Sequence, residues 1–262
     1  MNESANVLSG KQALVIGGGG GGIGRAITRG LAAAGSGVAV ADIDRDSADE
    51  AAAEVAAAGA RSVSLSGDVR SRDDVERFVS HAAQELGGLD VLVTVVGGQL
   101  AFVPASPLHE TTDEDWELMF DLNLRYVARA VRAALRVFLE QGRGGTIVSV
   151  GSIAGSAGSP MQAAYGAAKA GLESLARSVA AEYSRDGIRM NVVTCGPVAT
   201  PVARGAQAGE AEWIPMGRPG ESGEVADAAV FLASPLSAYV TGQSLVLDGG
   251  ATAVGPFPLP TR

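Results

Sequence analysis

The sequence contains few of the side chains that form disulfides and metal sites. Its 262 residues include one cysteine, Cys195, and two histidines, His81 and His109, which lie far apart in the chain. A single cysteine excludes an intrachain disulfide. So few cysteine and histidine ligands also argue against a zinc site. We therefore expect no bound metal.

Long apolar runs and positive charge are also scarce. No run reaches the roughly 18 apolar residues of a membrane-spanning helix, and the first residues lack the basic-then-apolar pattern of a secretion signal. The net charge of −9 disfavours nucleic acid and anionic membranes as general partners. These features predict a cytoplasmic protein without nucleic-acid or membrane partners. They leave room for a phosphate held locally by backbone N–H groups.

Apolar segments with strand character alternate with alanine-rich amphipathic segments along the chain. This alternation predicts an α/β domain in which helices cover both faces of a parallel sheet. The length and the 47% hydrophobic content suit one such domain spanning 1–262. Within it we expect a short substrate loop at about 197–220 and a tail at 251–262 whose end is too rich in proline for a helix or central strand. The seven predicted strands are 11–16, 37–42, 61–65, 89–95, 145–150, 188–194 and 244–247, and the predicted helices are 22–34, 46–58, 72–86, 113–140, 161–184 and 221–233.

Six consecutive glycines, 17–22, follow the first predicted strand. Ordering them costs conformational entropy, so the run is either a slack loop or a place where a ligand approaches the backbone closely. Between a first strand and a first helix, glycine lets N–H groups reach a pyrophosphate, whose charge the helix N-terminus favours. We therefore predict a Rossmann-type, doubly wound sheet with a nucleotide site. The expected contacts are Gly18, Gly21, Gly22, Ile23 and Gly24, with Gly18, Gly22 and Gly24 as fixed points.

The end of the second predicted strand indicates which dinucleotide binds. Asp42 stands about 20 residues beyond the glycine run, where a carboxylate accepts hydrogen bonds from the adenosine ribose and repels a 2′-phosphate. The next residue, Ile43, offers no positive charge. NAD is therefore favoured over NADP, with Asp42 and Ile43 at the ribose. Arg45 is the nearby cation that opposes this prediction, and the alternative is that Asp42 is an ordinary turn residue.

Three polar side chains form a candidate catalytic set. Tyr165 and Lys169 lie four residues apart in a segment with helical character, so they share one face. An ammonium beside a phenol lowers the pKa of the tyrosine from about 10 and makes it usable as a proton donor and acceptor. Ser152 follows a predicted strand, at the carboxyl end where ligands bind in such sheets. Taken alone, the tyrosine and lysine would be explained better as an exposed helix pair.

These motifs, in order and over nearly the whole chain, resemble the classical short-chain dehydrogenase/reductase family. The resemblance implies an oxidoreductase that interconverts a secondary alcohol and a ketone by hydride transfer. It also makes a homotetramer or homodimer plausible, paired through the helix at 161–184. The matching segments are 18–24, 68–69, Trp116 with Asn123, Ser152, Tyr165 with Lys169, 196–200, 214–220, 240–243 and 248–250.

The family's catalytic roles carry over to four residues of this chain. By resemblance, Tyr165 is the general acid and base, and Lys169 binds the nicotinamide ribose and lowers the pKa of Tyr165. The resemblance also makes both Tyr165 and Lys169 contacts of the cofactor. Ser152 would orient the substrate oxygen, and Asn123 would hold a water that links Lys169 to solvent. Asparagine is a poor helix former, so its place inside the predicted helix 113–140 indicates a local purpose.

The remaining cofactor contacts are likewise implied by the resemblance. Asp68 would contact the adenine amino group, with Val69 beside the ring. Gly97 ends the segment 94–97, which in the family binds the adenosine ribose through its backbone. Val198 and Thr200 would hold the nicotinamide carboxamide and so fix which ring face meets the substrate.

The sequence departs from the family pattern in three places. The glycine loop has one residue more than usual and lacks the threonine hydroxyl that helps tie the turn, so we expect a wider or more mobile turn that NAD orders. Thr-Val-Val-Gly at 94–97 replaces Asn-Asn-Ala-Gly, so backbone contacts survive while side-chain bracing of the sheet is lost. Cys195 replaces a proline, and we interpret it as a small buried hydrophobe.

Apolar and small residues dominate the expected substrate walls at 98–103, 153–154, 161–162 and after Thr200. They predict an uncharged secondary alcohol or ketone, and the short loop admits bulky or cyclic ones. His109, near the expected rim, is better explained as a solvated loop residue than as a catalytic one. The alternatives are an NADPH-dependent 3-oxoacyl-carrier-protein-type reductase and a non-catalytic nucleotide-binding module.

Overall fold

The structure is a computed structural model that describes residues 6–99, 101–201 and 213–253. Within these ranges, helices and strands alternate along the chain, and none of the helices is long and apolar enough to cross a membrane. The helices are α1 (Ile23–Ala33), α2 (Arg45–Ala57), α3 (Arg72–Leu86), α4 (Asp113–Phe120), α5 (Tyr126–Gln141), α6 (Ala163–Tyr183) and α7 (Ser222–Ala233). The strands are β1 (Gln12–Ile16), β2 (Gly37–Asp42), β3 (Ser62–Ser66), β4 (Val91–Thr94), β5 (Gly145–Ser152), β6 (Ile188–Cys195), β7 (Val198–Ala199), β8 (Gly220–Glu221) and β9 (Ser244–Leu247).

Seven of the strands form one parallel sheet in the order β3-β2-β1-β4-β5-β6-β9. The chain runs outward from β1 to β3 and then returns to place β4 on the other side of β1. This reversal opens a crevice at the carboxyl ends of β1 and β4, which is where open α/β sheets bind ligands. The predicted single-domain, Rossmann-type fold is therefore confirmed.

Successive residues of the buried strands point to opposite faces of the sheet, as the period of two requires. In β1, Leu14 and Ile16 pack against a core shared with α3, α5 and α6. Ala13 and Val15 pack into the second core, shared with α1, α2 and α7. Both faces are thus covered, and the carboxyl edge of the sheet is left for the site.

The predicted helix 113–140 is two helices, because a π-helical turn at Asp121–Arg125 separates α4 from α5. Asn123 lies in this turn and its Nδ2 donates to the carbonyl of Met119 at 3.0 Å. Such side-chain bonds compete with regular helix geometry, and π turns are frequent at functional sites. The small parallel pair of β7 with β8 was not predicted. It frames the predicted substrate loop, of which 202–212 lie outside the described residues.

The segment 94–97 retains side-chain bracing, so our expectation of its loss is wrong. Thr94 Oγ1 donates to Ser149 Oγ at 2.8 Å between β4 and β5, and both residues are buried. The hydroxyl of Tyr126 donates to the carbonyl of Val96 at 2.8 Å. A hydroxyl pair of this kind satisfies two buried polar groups at once. It therefore takes over the bracing that amide side chains provide in the family pattern.

The Thr94–Ser149 pair can be tested by stability measurements. Thr94→Val leaves Ser149 Oγ buried without its donor and should lower the free energy of unfolding by about 1–3 kcal/mol. The double variant Thr94→Val/Ser149→Ala removes both partners and should recover part of that loss. Guanidinium denaturation of the wild type, both single variants and the double variant measures the coupling. Strictly additive losses would contradict a bracing role for the pair.

Candidate active site

Close packing determines which residues of the glycine turn must be glycine. A Cβ on Gly24 would lie 1.8 Å from the carbonyl oxygen of Gly17, and one on Gly18 would lie 2.7 Å from Thr28 Oγ1. A Cβ on Gly19 would lie 2.8 Å from backbone atoms of the β2–α2 connection. Gly17 also has a φ of +89°, which side chains rarely adopt. These four positions have no room for a side chain.

The other three glycines of the turn have more space. A Cβ on Gly20 would meet nothing within 4 Å, and those on Gly21 and Gly22 would make ordinary contacts with Pro201 and Thr200. Of the three fixed points predicted, packing thus requires glycine at Gly18 and Gly24, whereas Gly22 is not confined in this way. The contacts at Gly21 and Gly22 bring the residues after β7 against the turn.

Three side chains from outside the run fasten the turn. Thr28 Oγ1, on α1, donates to the carbonyl of Gly18 at 3.2 Å. Arg25 Nη1 donates to the carbonyl of Gly19 at 2.7 Å. Asp42 Oδ2 accepts from the N–H groups of Gly19 at 2.9 Å and Gly20 at 3.2 Å. A hydroxyl from the following helix thus supplies a bond where the family threonine is missing. Ordering of the turn by NAD stays a prediction.

Arg25 is already paired with acidic side chains of α2. Its Nε and Nη2 donate to the carboxylate of Glu54 at 3.0 Å, and Arg29 binds the same carboxylate. The two guanidiniums hold the pKa of Glu54 far below its usual range. Arg25 therefore serves the turn as a donor, with its charge largely compensated. Arg45, at the start of α2, is exposed.

Asp42 and Asp68 differ in how much of each carboxylate is already used. Asp42 accepts from the glycine turn through Oδ2 and from the N–H of Asp44 through Oδ1 at 3.3 Å, which leaves lone pairs for ribose hydroxyls. Asp68 is bound by the guanidinium of Arg70, with Nη2 to Oδ2 at 2.6 Å, which lowers the pKa of the carboxyl. An adenine amino group would therefore share Asp68 with Arg70. Val69 is buried beside it.

Ser152, Tyr165 and Lys169 meet at the carboxyl end of β5. Ser152 ends this strand, and its Oγ accepts from the N–H of Ala154 at 3.2 Å. The Nζ of Lys169 donates to the carbonyl of Val150 at 3.0 Å. The same Nζ lies 5.6 Å from the ring centroid of Tyr165. The strand end and the first turns of α6 thus bring the predicted set together.

Burial shifts the pKa values of the tyrosine and the lysine in opposite directions. It raises the pKa of the Tyr165 phenol, while an interaction with the Ser152 hydroxyl partly opposes the rise. It lowers the pKa of the Lys169 ammonium to about 8. In this geometry our expectation of a lowered tyrosine pKa is wrong, because burial disfavours the phenolate while the Lys169 ammonium is bonded to the carbonyl of Val150.

Asn123 braces the loop after β4 against the catalytic set. Its Oδ1 accepts from the N–H of Gly98 at 2.9 Å, and its Nδ2 donates to the carbonyl of Gly98 at 3.1 Å. Gly97 is confined, since a Cβ there would lie 2.5 Å from Asn123 Oδ1 and 3.1 Å from Lys169 Nζ. The π turn therefore brings the buried side chains of Asn123 and Lys169 against the exposed backbone of Gly97.

Val198 and Cys195 lie at the end of β6 and just beyond it. Val198 begins the short strand β7. Thr200, the residue after this strand, lies against Gly22 of the glycine turn. Cys195 is buried, and burial raises the pKa of its thiol to about 12, although the charge of Lys169 opposes the rise. A neutral thiol in this position fits the interpretation of Cys195 as a small hydrophobe.

Sequence reasoning missed two residues that the structure places at the glycine turn, Arg25 and Thr28. Arg25 and Thr28 are three residues apart at the start of α1 and therefore share one face of the helix. This spacing could have predicted that both side chains reach the turn. Gln99 falls in the predicted substrate wall, where no local signal separates it from its neighbours. His109 lies exposed in a short 3₁₀ turn. No group of three or more potential metal ligands occurs within the described ranges.

Comparisons with known proteins identify the family of the chain. A family model described as enoyl-(acyl carrier protein) reductase matches residues 18–252. The chain is 39% identical over 244 residues to cis-4-hydroxycyclohexanecarboxylate dehydrogenase of Sinomonas cyclohexanicum, covering 92% of this chain and 96% of the relative. It is 37% identical over 256 residues to 2,5-dichloro-2,5-cyclohexadiene-1,4-diol dehydrogenase of Sphingobium indicum, covering 94% and 99%.

A solved structure supports the same assignment. It is a 7α-hydroxysteroid dehydrogenase in complex with NADH and 7-oxo-glycochenodeoxycholic acid, with a TM-score of 0.87 and 28% identity. The match covers 95% of this chain and 98% of the other. The extent of the family match and the full-length relatives agree with the fold and the motif order described above. The chain therefore belongs to the short-chain dehydrogenase/reductase family of nicotinamide-dependent oxidoreductases of alcohols and ketones.

Proposed function

We propose that this protein is an NAD-dependent dehydrogenase and ketoreductase that interconverts an uncharged secondary alcohol, bulky or cyclic, with its ketone. The observation that carries the proposal is the meeting of Asn123, Ser152, Tyr165 and Lys169 at one end of the sheet, beside the crevice. A module that only bound nucleotide would have no need of this complete set.

The glycine turn and Asp42 fit NAD. Backbone at 17–19 and 24 packs too closely against other protein atoms for any side chain, which fixes the turn at the N-terminus of α1, where a pyrophosphate would bind. Asp42 keeps acceptor capacity for ribose hydroxyls, and the charge of Arg25 is largely compensated by Glu54 and Glu50, so the charge beside the ribose disfavours a 2′-phosphate. When bound, NAD supplies the carbon that accepts or returns the hydride. Arg45 remains the cation that opposes this choice.

Proton transfer would run through Tyr165. We infer that Ser152 holds the substrate oxygen while the Tyr165 phenolate takes the alcohol proton, or the phenol donates one during reduction. Below its pKa of about 8, the Lys169 ammonium stabilises the phenolate as the opposite charge. The amide atoms of Asn123 are used on the backbone of Gly98 and Met119, so Asn123 positions this backbone beside Lys169. A water held at Asn123 remains part of the proposal from the family resemblance.

Apolar contacts and the named relatives support a ring-shaped substrate. Val103, Met119 and Ala164 form a small core against which Trp116 and Tyr165 pack. Two relatives are named for cyclohexane and cyclohexadiene substrates. The description of the matching family model names a carrier-protein substrate, as does the alternative, an NADPH-dependent 3-oxoacyl-carrier-protein-type reductase. Asp42 and the compensated Arg25 argue against that alternative.

The assembly, the role of the C-terminal tail and the cellular location also remain proposals. We propose a homotetramer or homodimer paired through α6, as the family resemblance implies. We also propose that the C-terminal tail reaches the site of a neighbouring subunit; its residues 254–262 lie outside the described ranges. Cytoplasmic localisation stays an expectation.

Two alanine variants test the glycine cradle. Gly19→Ala forces a Cβ to within 2.8 Å of the backbone at Ser47 and Ala48. Overpacking of this kind costs about 1–3 kcal/mol, so NADH affinity should fall by about tenfold or more. Gly20→Ala is the matched control, because a Cβ there meets nothing within 4 Å. Equal NADH affinities for the two variants in fluorescence titrations would contradict the cradle.

Tyr165→Phe tests the mechanism. The variant should lower kcat for cyclohexanol oxidation with NAD⁺ by about 10²–10⁴-fold, with NADH binding retained. Because burial raises the pKa of the phenol, wild-type oxidation should accelerate as pH rises toward the Lys169 pKa of about 8, and ketone reduction should slow. Tyr183→Phe, at the far end of α6, serves as control. Undiminished turnover by Tyr165→Phe would overturn the mechanism, and a wild type inactive on every cyclic secondary alcohol would overturn the function.

A further inference from the structure

Two buried side-chain oxygens have no hydrogen-bond donor in the described part of the chain, Gln12 Oε1 and Gln99 Oε1. A buried acceptor without a donor costs about 1–3 kcal/mol. Gln12 starts β1 at the amino edge of the sheet, where its Oε1 packs over Gly37. Gln99 follows β4 at the carboxyl edge, on the side of the catalytic set. Only the second lies at the edge of the sheet where Ser152 ends β5.

The orientation of the Gln99 carboxamide follows from its neighbours. Its Nε2 donates to the carbonyl of Met161 at 3.1 Å and approaches that of Pro104 at 3.5 Å. Carbonyl oxygens only accept hydrogen bonds, so the amide nitrogen must face them and Oε1 must face the other way. The unpaired acceptor is therefore a consequence of the two carbonyls and would not be removed by exchanging the amide atoms.

Gln99 connects two segments that border the catalytic set. Its neighbour Gly98 is bonded on both backbone atoms by Asn123. At the other end, Met161 precedes Tyr165 by about one turn and has a φ of 66°, in the left-handed region. Backbone held in this region by a residue other than glycine is strained and tends to occur at ligand sites. The Gln99 carboxamide thus holds a strained segment of the substrate wall.

We propose that Gln99 Oε1 accepts a hydrogen bond from a second hydroxyl of the substrate, so that the enzyme prefers ring alcohols carrying a further hydroxyl over plain ring alcohols. The inference rests on the proposed function and extends it to a substrate class. The nearby packing of Val103, Met119 and Ala164 is apolar. A single acceptor in such surroundings should discriminate strongly between substrates with and without a second hydroxyl. A site built to bond a substrate hydroxyl rejects an analogue lacking it, because its buried acceptor is then left unpaired.

The test compares kcat/KM for cyclohexane-1,4-diol, as separate cis and trans isomers, with kcat/KM for cyclohexanol, using NAD⁺. The wild type should favour one diol isomer by about tenfold or more after correction for its two equivalent hydroxyls, as expected where a buried acceptor is otherwise unpaired. Gln99→Leu should bring this ratio close to one. Gln99→Glu keeps an acceptor oxygen but loses the donor to Met161, so it should retain the preference even if both rates fall.

Gln12→Leu is the matched control, since it removes the other unpaired glutamine oxygen far from the site, and it should keep the wild-type ratio. Each ratio is taken on one preparation, so partial misfolding cancels. A wild type without diol preference, or an unchanged ratio in Gln99→Leu, would overturn the inference while cyclohexanol turnover upholds the proposed function. Turnover of neither alcohol would overturn the function and the inference together.

Discussion

The close approach of backbone to backbone at the end of β1 is the constraint on which the cofactor site depends. The space for a Cβ on Gly24 is filled by the carbonyl of Gly17, and the space at Gly19 by the start of α2. This packing sets the N-terminus of α1 directly beyond the strand. It also turns two N–H groups toward Asp42, on the neighbouring strand. The loop that phosphate would meet and the carboxylate that ribose would meet are therefore one hydrogen-bonded unit.

The catalytic end of the crevice depends on burial in a similar way. Asn123 lies in the π turn between α4 and α5, and its amide donates to the carbonyl of Gly98. The neighbouring Gly97 lies close to Lys169 Nζ. Burial then disfavours the charged forms of both neighbouring groups, raising the pKa of Tyr165 and lowering that of Lys169. In the proposed mechanism, this phenol and this amine would together exchange a proton with a bound alcohol.

Sequence patterns predicted the elements of the sheet and placed the candidate catalytic residues on them, because those signals are local. Tyr165 and Lys169 follow from helical spacing, and Ser152 from the end of an apolar strand. The pairing of Thr94 with Ser149, the fastening of the turn by Arg25 and Thr28, and the unpaired oxygen of Gln99 are contacts between segments that only the fold brings together. The pKa of Tyr165 was misjudged for the same reason, since pair spacing carries no information about burial.

The most direct test of the account is a pair of titrations of the wild-type protein, one with NADH and one with NADPH, followed by cofactor fluorescence. If Asp42 and the glycine turn form one NAD-selective unit, NADH binds at least about tenfold more tightly, equivalent to about 1.4 kcal/mol. Asp42→Asn should narrow that difference, while the exposed Asp46→Asn leaves it in place. NADPH binding as tightly as NADH, or more tightly, would contradict the account.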